Sequence, residues 1–120
     1  MKLHVVEIGS MVEEFKEEMF FVLFGMQAPQ ELRDISVIHE YEKATDGIYF
    51  QEGSKIHING VTYTVREVGN MANANFDELG HVAVYLKEEK ILPGAIKMTP
   101  YVFPEIRVGD EIRLELQSAS

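Results

Sequence analysis

A chain of 120 residues and 13.7 kDa is long enough for one well-cored domain and too short for two. It has no cysteine, which excludes a disulfide framework, a cysteine-ligated metal or cluster, and thiol catalysis. Eleven Lys and Arg against twenty Asp and Glu leave a formal charge of −9, a poor surface for nucleic acid or anionic lipid and a suitable one for an electropositive partner.

In chain order, Leu3–Ile8 reads as a first strand. Ser10 and Glu13 have the spacing of a capping box, and Met11, Val12, Phe15 and Met19 follow at helical spacing, which predicts a short helix. The apolar run Phe20–Phe24 predicts a buried strand, closed off by Gly25. Pro29 suits a turn or a first helical position. Ile35–Tyr41 predicts a strand with Ile35, Val37 and His39 on one face and Ser36, Ile38 and Glu40 on the other. Lys55–Asn59 and Val61–Val68 flank Asn59-Gly60, the pair that best tolerates the positive φ angles of a two-residue hairpin turn. His81–Leu86, Ala95–Met98 and Glu111–Leu116 complete the strands, with Pro93-Gly94, Pro100, Pro104 and Gly109-Asp110 as turns. Seven or so short strands and one small helix predict an all-β domain spanning residues 1–120, a small antiparallel barrel whose closure removes exposed edges. The Ser118-Ala119-Ser120 tail is expected to fray.

Lys2 is followed by Glu7 before any signal-peptide core can form, and the longest apolar run, Met19–Gly25, is far short of the ~20 residues of a membrane helix. The expectation is a cytoplasmic protein without direct membrane insertion.

There is no glycine-rich phosphate loop and no nucleophile elbow around Ser10, Ser36 or Ser54. The pairs Glu13-Glu14, Glu17-Glu18 and Glu88-Glu89 read as solvated faces. That leaves four histidines. His57 lies beside the hairpin turn and reads as a surface residue; His4, between Leu3 and Val5, reads as structural. His39 ends an apolar segment and precedes Glu40 and Glu42. His81 follows Gly80, where the backbone can turn sharply before a strand.

The stretch Val68-Gly69-Asn70-Met71-Ala72-Asn73-Ala74-Asn75-Phe76-Asp77-Glu78-Leu79-Gly80-His81-Val82 resembles a signature of the glucitol/sorbitol-specific enzyme IIA family of the bacterial sugar phosphotransferase system, with Phe76 where that family shows leucine. Val37-Ile38-His39 is similar to the family's phosphorylated-histidine site, and Leu92-Pro93-Gly94 to a later turn. The resemblance implies a phosphocarrier for polyol uptake, a phosphotransferase component needing no cofactor and no metal. It would accept a phosphoryl group from the histidine phosphocarrier protein and pass it to a sugar-specific IIB component, with IIC as the membrane partner. Residue by residue, it implies His39 as phosphoryl acceptor, with the ε-nitrogen as the attacking atom. His81, together with the amides around Gly80, is a candidate phosphoryl contact, and Asn73 and Asn75 are expected to cap the Gly80 turn.

The chemistry suits imidazole, a neutral nucleophile near pH 7. An ε-nitrogen nucleophile requires the δ-nitrogen to hold the proton against a carbonyl or carboxylate, and the ring must be reachable from solvent. Some family members read I-H-x-H where this chain has Tyr41 at the second histidine. That difference motivates an alternative, an orphan regulatory or binding module that does not complete transfer to sugar. A metal site from His39, His81 and Glu78 is a further reading that the linear spacing does not favour.

Overall fold

The computed structural model describes residues 1–117, so the expected fraying of Ser118-Ala119-Ser120 lies outside the described residues. Strands β1 (Lys2–Ile8), β2 (Phe20–Phe24), β3 (Val37–Glu40), β4 (Lys55–Ile58), β5 (Val61–Val68), β6 (Val82–Tyr85), β7 (Ala95–Thr99) and β8 (Glu111–Glu115) form a closed barrel. Around the wall the order is β1-β3-β2-β6-β7-β5-β4-β8. Closure leaves no unpaired edge, as a small all-β domain requires.

The β4–β5 hairpin turns at Asn59 (φ 49°) and Gly60 (φ 82°), both left-handed as the Asn-Gly pair demands. The other junctions hold two departures from an all-antiparallel wall: β2 pairs with β3, and β6 with β7, in parallel. Alternation of apolar residues specifies which face is buried and carries no information on strand direction.

Leu3, Val5, Phe21, Leu23, Val37, Tyr63, Val65, Val82, Val84, Ile96, Met98, Ile112 and Leu114 fill the barrel from inside. Phe24, Ile38 and Ala28 form a separate small cluster. They alternate along β2 and β3 with the interior residues Leu23 and Val37, so this cluster lies on the outer face of the wall.

The helices differ from expectation. Val12–Phe15 is one 3₁₀ turn with Met11 at its N-cap and no side-chain cap, so Ser10 does not form the predicted capping box. Gln30–Arg33 is a single turn of helix, α1, with Pro29 at its N-cap. The main helix is α2, Ala72–Leu79, inside the stretch read above as a signature rather than as a helix. It buries Ala72 and Phe76, four residues apart on one face, and caps the end of the barrel. No described helix is long and apolar enough to cross a membrane.

Candidate functional site

Strands β3 and β6 lie on either side of β2, and the turn from α2 into β6 sits at the same end of the barrel. This brings His39, at the end of β3, and His81, just before β6, to one region on either side of Gly80.

Gly80 ends α2 in the left-handed conformation, φ 66°, with its N–H donating to the Phe76 carbonyl. A left-handed C-cap is glycine's ordinary place at a helix end. The Gly25 N–H donates to the Leu79 carbonyl at 2.9 Å, tying this turn to the end of β2.

His39 points inward. Its ring stacks on Phe76 with centroids 5.3 Å apart and planes 12° apart, and Tyr41 stands 5.3 Å away on its own strand's continuation. Nε2 lies 2.8 Å from the Gly80 carbonyl oxygen. A carbonyl only accepts, so Nε2 carries the proton and Nδ1 the lone pair. Nδ1 has no partner among the described residues and is buried. Burial lowers the His39 pKa below 6.5, against the smaller raising effect of the Gly80 carbonyl and the neighbouring Glu40 backbone, and the ring is neutral at pH 7. The residue is 0% exposed, which corrects the expectation of a solvent-reachable ring at this position. The carbonyl expected to orient the imidazole is present, but it holds the ε-nitrogen and not the δ-nitrogen.

His81 has the reverse arrangement. Its ring stacks on Phe24, centroids 4.6 Å apart at 30°, against the outer apolar cluster. Nδ1 lies 3.3 Å from the Leu23 carbonyl and donates to it, so the lone pair sits on Nε2. The ring is half-buried, and burial lowers its pKa below 6.5. Nε2 has no hydrogen-bond partner among the described residues, and it is not one of the buried unpartnered atoms, which are Ser36 Oγ and His39 Nδ1. It is therefore not sealed as His39 Nδ1 is.

The other candidates sort differently. His57 bonds Glu115 at 2.7 Å and Thr62 at 3.0 Å on the barrel surface, as its place beside the hairpin suggested. His4 is exposed, 3.8 Å from Glu111, which corrects its reading as a structural residue. Glu40 and Glu78 are exposed. Among the described residues no three His, Cys, Asp or Glu side chains converge to hold a metal ion.

Asn73 does not cap the Gly80 turn. It sits in the first half of α2, where its Oδ1 accepts from the Tyr49 N–H at 2.7 Å and the Phe50 N–H at 2.9 Å, and its Nδ2 donates to the Phe50 carbonyl at 3.0 Å. Asn75 is likewise inside the helix, with its N–H on the Met71 carbonyl. Tyr41 and Tyr49, singled out by no motif reading as site residues, both reach α2: the Tyr41 hydroxyl donates to the Asp77 carbonyl at 3.0 Å and the Tyr49 hydroxyl to Asp77 Oδ1 at 2.7 Å. A shallow cleft of about 240 Å³, lined by Met26, Gln27, His39, Glu40, Tyr41 and Lys43, opens beside this aromatic cover.

Over residues 1–113 the chain matches the family described as PTS system glucitol/sorbitol-specific IIA component. The chain belongs to this IIA family. A crystal structure titled PTS System IIA Component from Enterococcus faecalis V583 superposes with a TM-score of 0.89 at 26% identity, covering 97% of this chain and all of that one. No curated protein matches the chain. Membership implies phosphoryl transfer in sugar uptake. The IIA signature also acquires a structural meaning. Gly69 lies against the Leu92 and Pro93 carbonyls, its N–H donating to Ala95 at 2.8 Å, so the Val-Gly start and the later Pro-Gly turn are two sides of one contact. Gly80 and His81 form the turn between the two imidazoles.

Proposed function

We propose that this IIA chain is a histidine phosphocarrier in polyol uptake. It takes a phosphoryl group from the histidine phosphocarrier protein onto an imidazole and yields it to a IIB component. The observation that carries this reading is the pair of histidines flanking Gly80. Each is neutral at pH 7, and each has one nitrogen donating to a backbone carbonyl and the other left with a free lone pair. A fixed tautomer presents one defined nucleophilic atom without a proton having to leave first.

Phosphoryl transfer runs through a loose transition state, so the protein's part is to align and to exclude water. The aromatic and apolar surroundings of both rings suit that task. The acidic chain suits a donor whose phosphohistidine face is electropositive, since complementary fields raise the encounter rate.

The resemblance assigns the acceptor role to His39. In the folded barrel that ring holds Nε2 on the Gly80 carbonyl and keeps Nδ1 buried, so it has to be uncovered before a second protein's phosphohistidine can reach it.

The test is incubation with phosphoenolpyruvate and the system's general phosphotransferase proteins, read by intact mass. The expected result is an acid-labile, base-stable adduct of one phosphoryl mass that disappears when a cognate IIB is added. No adduct with cognate donors ends the reading; an adduct that no IIB removes favours the orphan regulatory module instead.

A further inference from the structure

Resting on the phosphocarrier reading, we infer that Tyr41 is the movable cover of His39, a gating residue that turns out into the neighbouring cleft to admit the phosphoryl donor. A phosphocarrier needs its acceptor ring within reach of a second protein, yet His39 is fully buried and its unpartnered Nδ1 is buried with it. Phe76 lies against the ring face, the Gly80 carbonyl is on Nε2, and Tyr41 stands 5.3 Å away. What holds each of these three in place decides which one moves.

Phe76 does not move alone. It is fully buried, and its ring also meets Tyr49 at 4.7 Å and Phe50 at 5.1 Å, so displacing it opens the core. Gly80 is backbone on both sides of a fixed turn. Its N–H is on the Phe76 carbonyl at 2.7 Å, and the preceding carbonyl, that of Leu79, takes the Gly25 N–H at 2.9 Å. The chain beyond Tyr41 is anchored as well. Asn73 makes three hydrogen bonds to Tyr49 and Phe50, and the Tyr49 hydroxyl adds a fourth to Asp77. Lifting the whole 41–50 segment would break all of them.

Tyr41 is held by much less. Strand β3 ends at Glu40, so Tyr41 lies outside the ladder. Its hydroxyl has one proton to give and gives it to the Asp77 carbonyl at 3.0 Å. The residue is partly exposed, and it lines the 240 Å³ cleft together with His39, Met26 and Gln27. Rotation of this side chain loses one hydrogen bond and its aromatic contacts, breaks no backbone bond, and has open space to turn into. The closed position depends on Gly80, whose missing side chain leaves room for the Tyr41 ring: a β-carbon there would stand 2.8 Å from Tyr41 Cε1.

A cover of this kind suits the chemistry. Closed, it keeps water from the imidazole; open, it joins the ring to a cleft that a docked protein closes over. Reactivity is thereby confined to the docked state, where water does not compete for the phosphoryl group.

The experiment treats the intact chain at pH 7 with diethylpyrocarbonate, which acylates any neutral imidazole it can reach, and maps each histidine by peptide mass. His4, exposed on β1, is the internal reference. In the wild type His39 should react far more slowly than His4, at a rate that low urea leaves unchanged, the mark of a local opening. Tyr41→Phe keeps the ring and removes its hydrogen bond. It should speed the reaction at His39 about two- to tenfold, the factor that one net hydrogen bond sets, with His4 unaffected. Phosphoryl acceptance from phosphoenolpyruvate and the general phosphotransferase proteins should rise in the same direction, whereas a purely structural loss would lower it. Equal His39 rates in the two proteins overturn the inference, as does a rate that climbs with urea in step with global unfolding. Faster acylation at His39 with slower phosphoryl acceptance overturns the gating role. Faster acylation with no phosphoryl adduct on either protein supports the cover and ends the phosphocarrier reading.

Discussion

Tyr41 lies over Gly80, so close that a β-carbon at position 80 would stand 2.8 Å from Tyr41 Cε1 and 2.9 Å from the Gly25 backbone nitrogen. Tyr41 can rotate away, but Gly25 is backbone held by its own hydrogen bond to Leu79. Gly80→Ala therefore meets two separate costs. The left-handed φ of 66° costs a residue with a side chain roughly 1–2 kcal/mol, and overpacking against fixed backbone adds about 1–3 kcal/mol. Urea unfolding is expected to show a loss of about 2–5 kcal/mol. A loss below about 1 kcal/mol would mean that the turn relaxes freely and does not position the histidines.

The wall of the barrel was legible because strands announce themselves locally. Asn59-Gly60 dictates its own turn, and Phe20–Phe24 has no alternative to burial. The direction of β2 against β3 and of β6 against β7 was not legible, since parallel and antiparallel neighbours bury the same alternating residues. Helix α2 was not legible for a different reason. Ala-Asn-Ala-Asn has modest helix propensity, and its helix is held by tertiary contacts of Phe76 and Asn73 that no local pattern contains. Both candidate histidines were legible as residues, His39 from the resemblance and His81 from its place after Gly80. Their tautomers and burial were not, because each depends on a carbonyl from a strand or turn remote in sequence, Leu23 for His81 and Gly80 for His39.

Asn73 ties the Tyr49-Phe50 segment to α2 through three hydrogen bonds. Asn73→Ala leaves two backbone N–H groups and one carbonyl without partners beside a buried aromatic cluster. Partial rehydration limits the effect to about 2–4 kcal/mol, at roughly 1 kcal/mol or slightly more per lost bond. Hydrogen exchange should localise it: the Tyr49 and Phe50 amides exchange much faster in the variant, whereas amides of the β4–β5 hairpin change only through global stability. Unchanged protection at residues 49 and 50 would contradict the assignment.

Tyr49 is buried, and its hydroxyl donates to Asp77 while accepting from the Ala44 N–H at 2.8 Å. Burial, followed by the Asp77 hydrogen bond, pushes its pKa from 10.0 up to about 12. The folded value lies above the unfolded one, so the fold favours the protonated phenol. That stabilisation is complete below pH 10 and is lost as pH rises from 10 towards 12. Tyr63, whose hydroxyl donates to the Val102 carbonyl at 2.7 Å, is also raised to about 12 by burial and adds to the same window. In Tyr49→Phe the fall of stability with alkaline pH should be shallower by up to about one proton's worth of slope. Equal slopes in variant and wild type would show that Tyr49 ionises freely in the fold.

His39 tests the acid side. Its folded pKa is lowered below the unfolded 6.5, chiefly by burial, so the unfolded chain takes up the proton first as pH falls. The contribution of the neutral buried ring is therefore fully present above pH 6.5 and is lost as pH falls through the lowered folded value. Gln at this position can donate to Gly80 but does not titrate. His81 carries a lowered pKa of its own in both proteins, and its share cancels in their difference. The stability of wild type minus His39→Gln should be constant above pH 6.5 and decline steadily below it, read from urea midpoints at matched ionic strength. A difference that stays flat to pH 5 would mean that the ring accepts a proton in place. Its Nδ1 would then have a partner or a path to water that the packing of Phe76 and Tyr41 around it excludes.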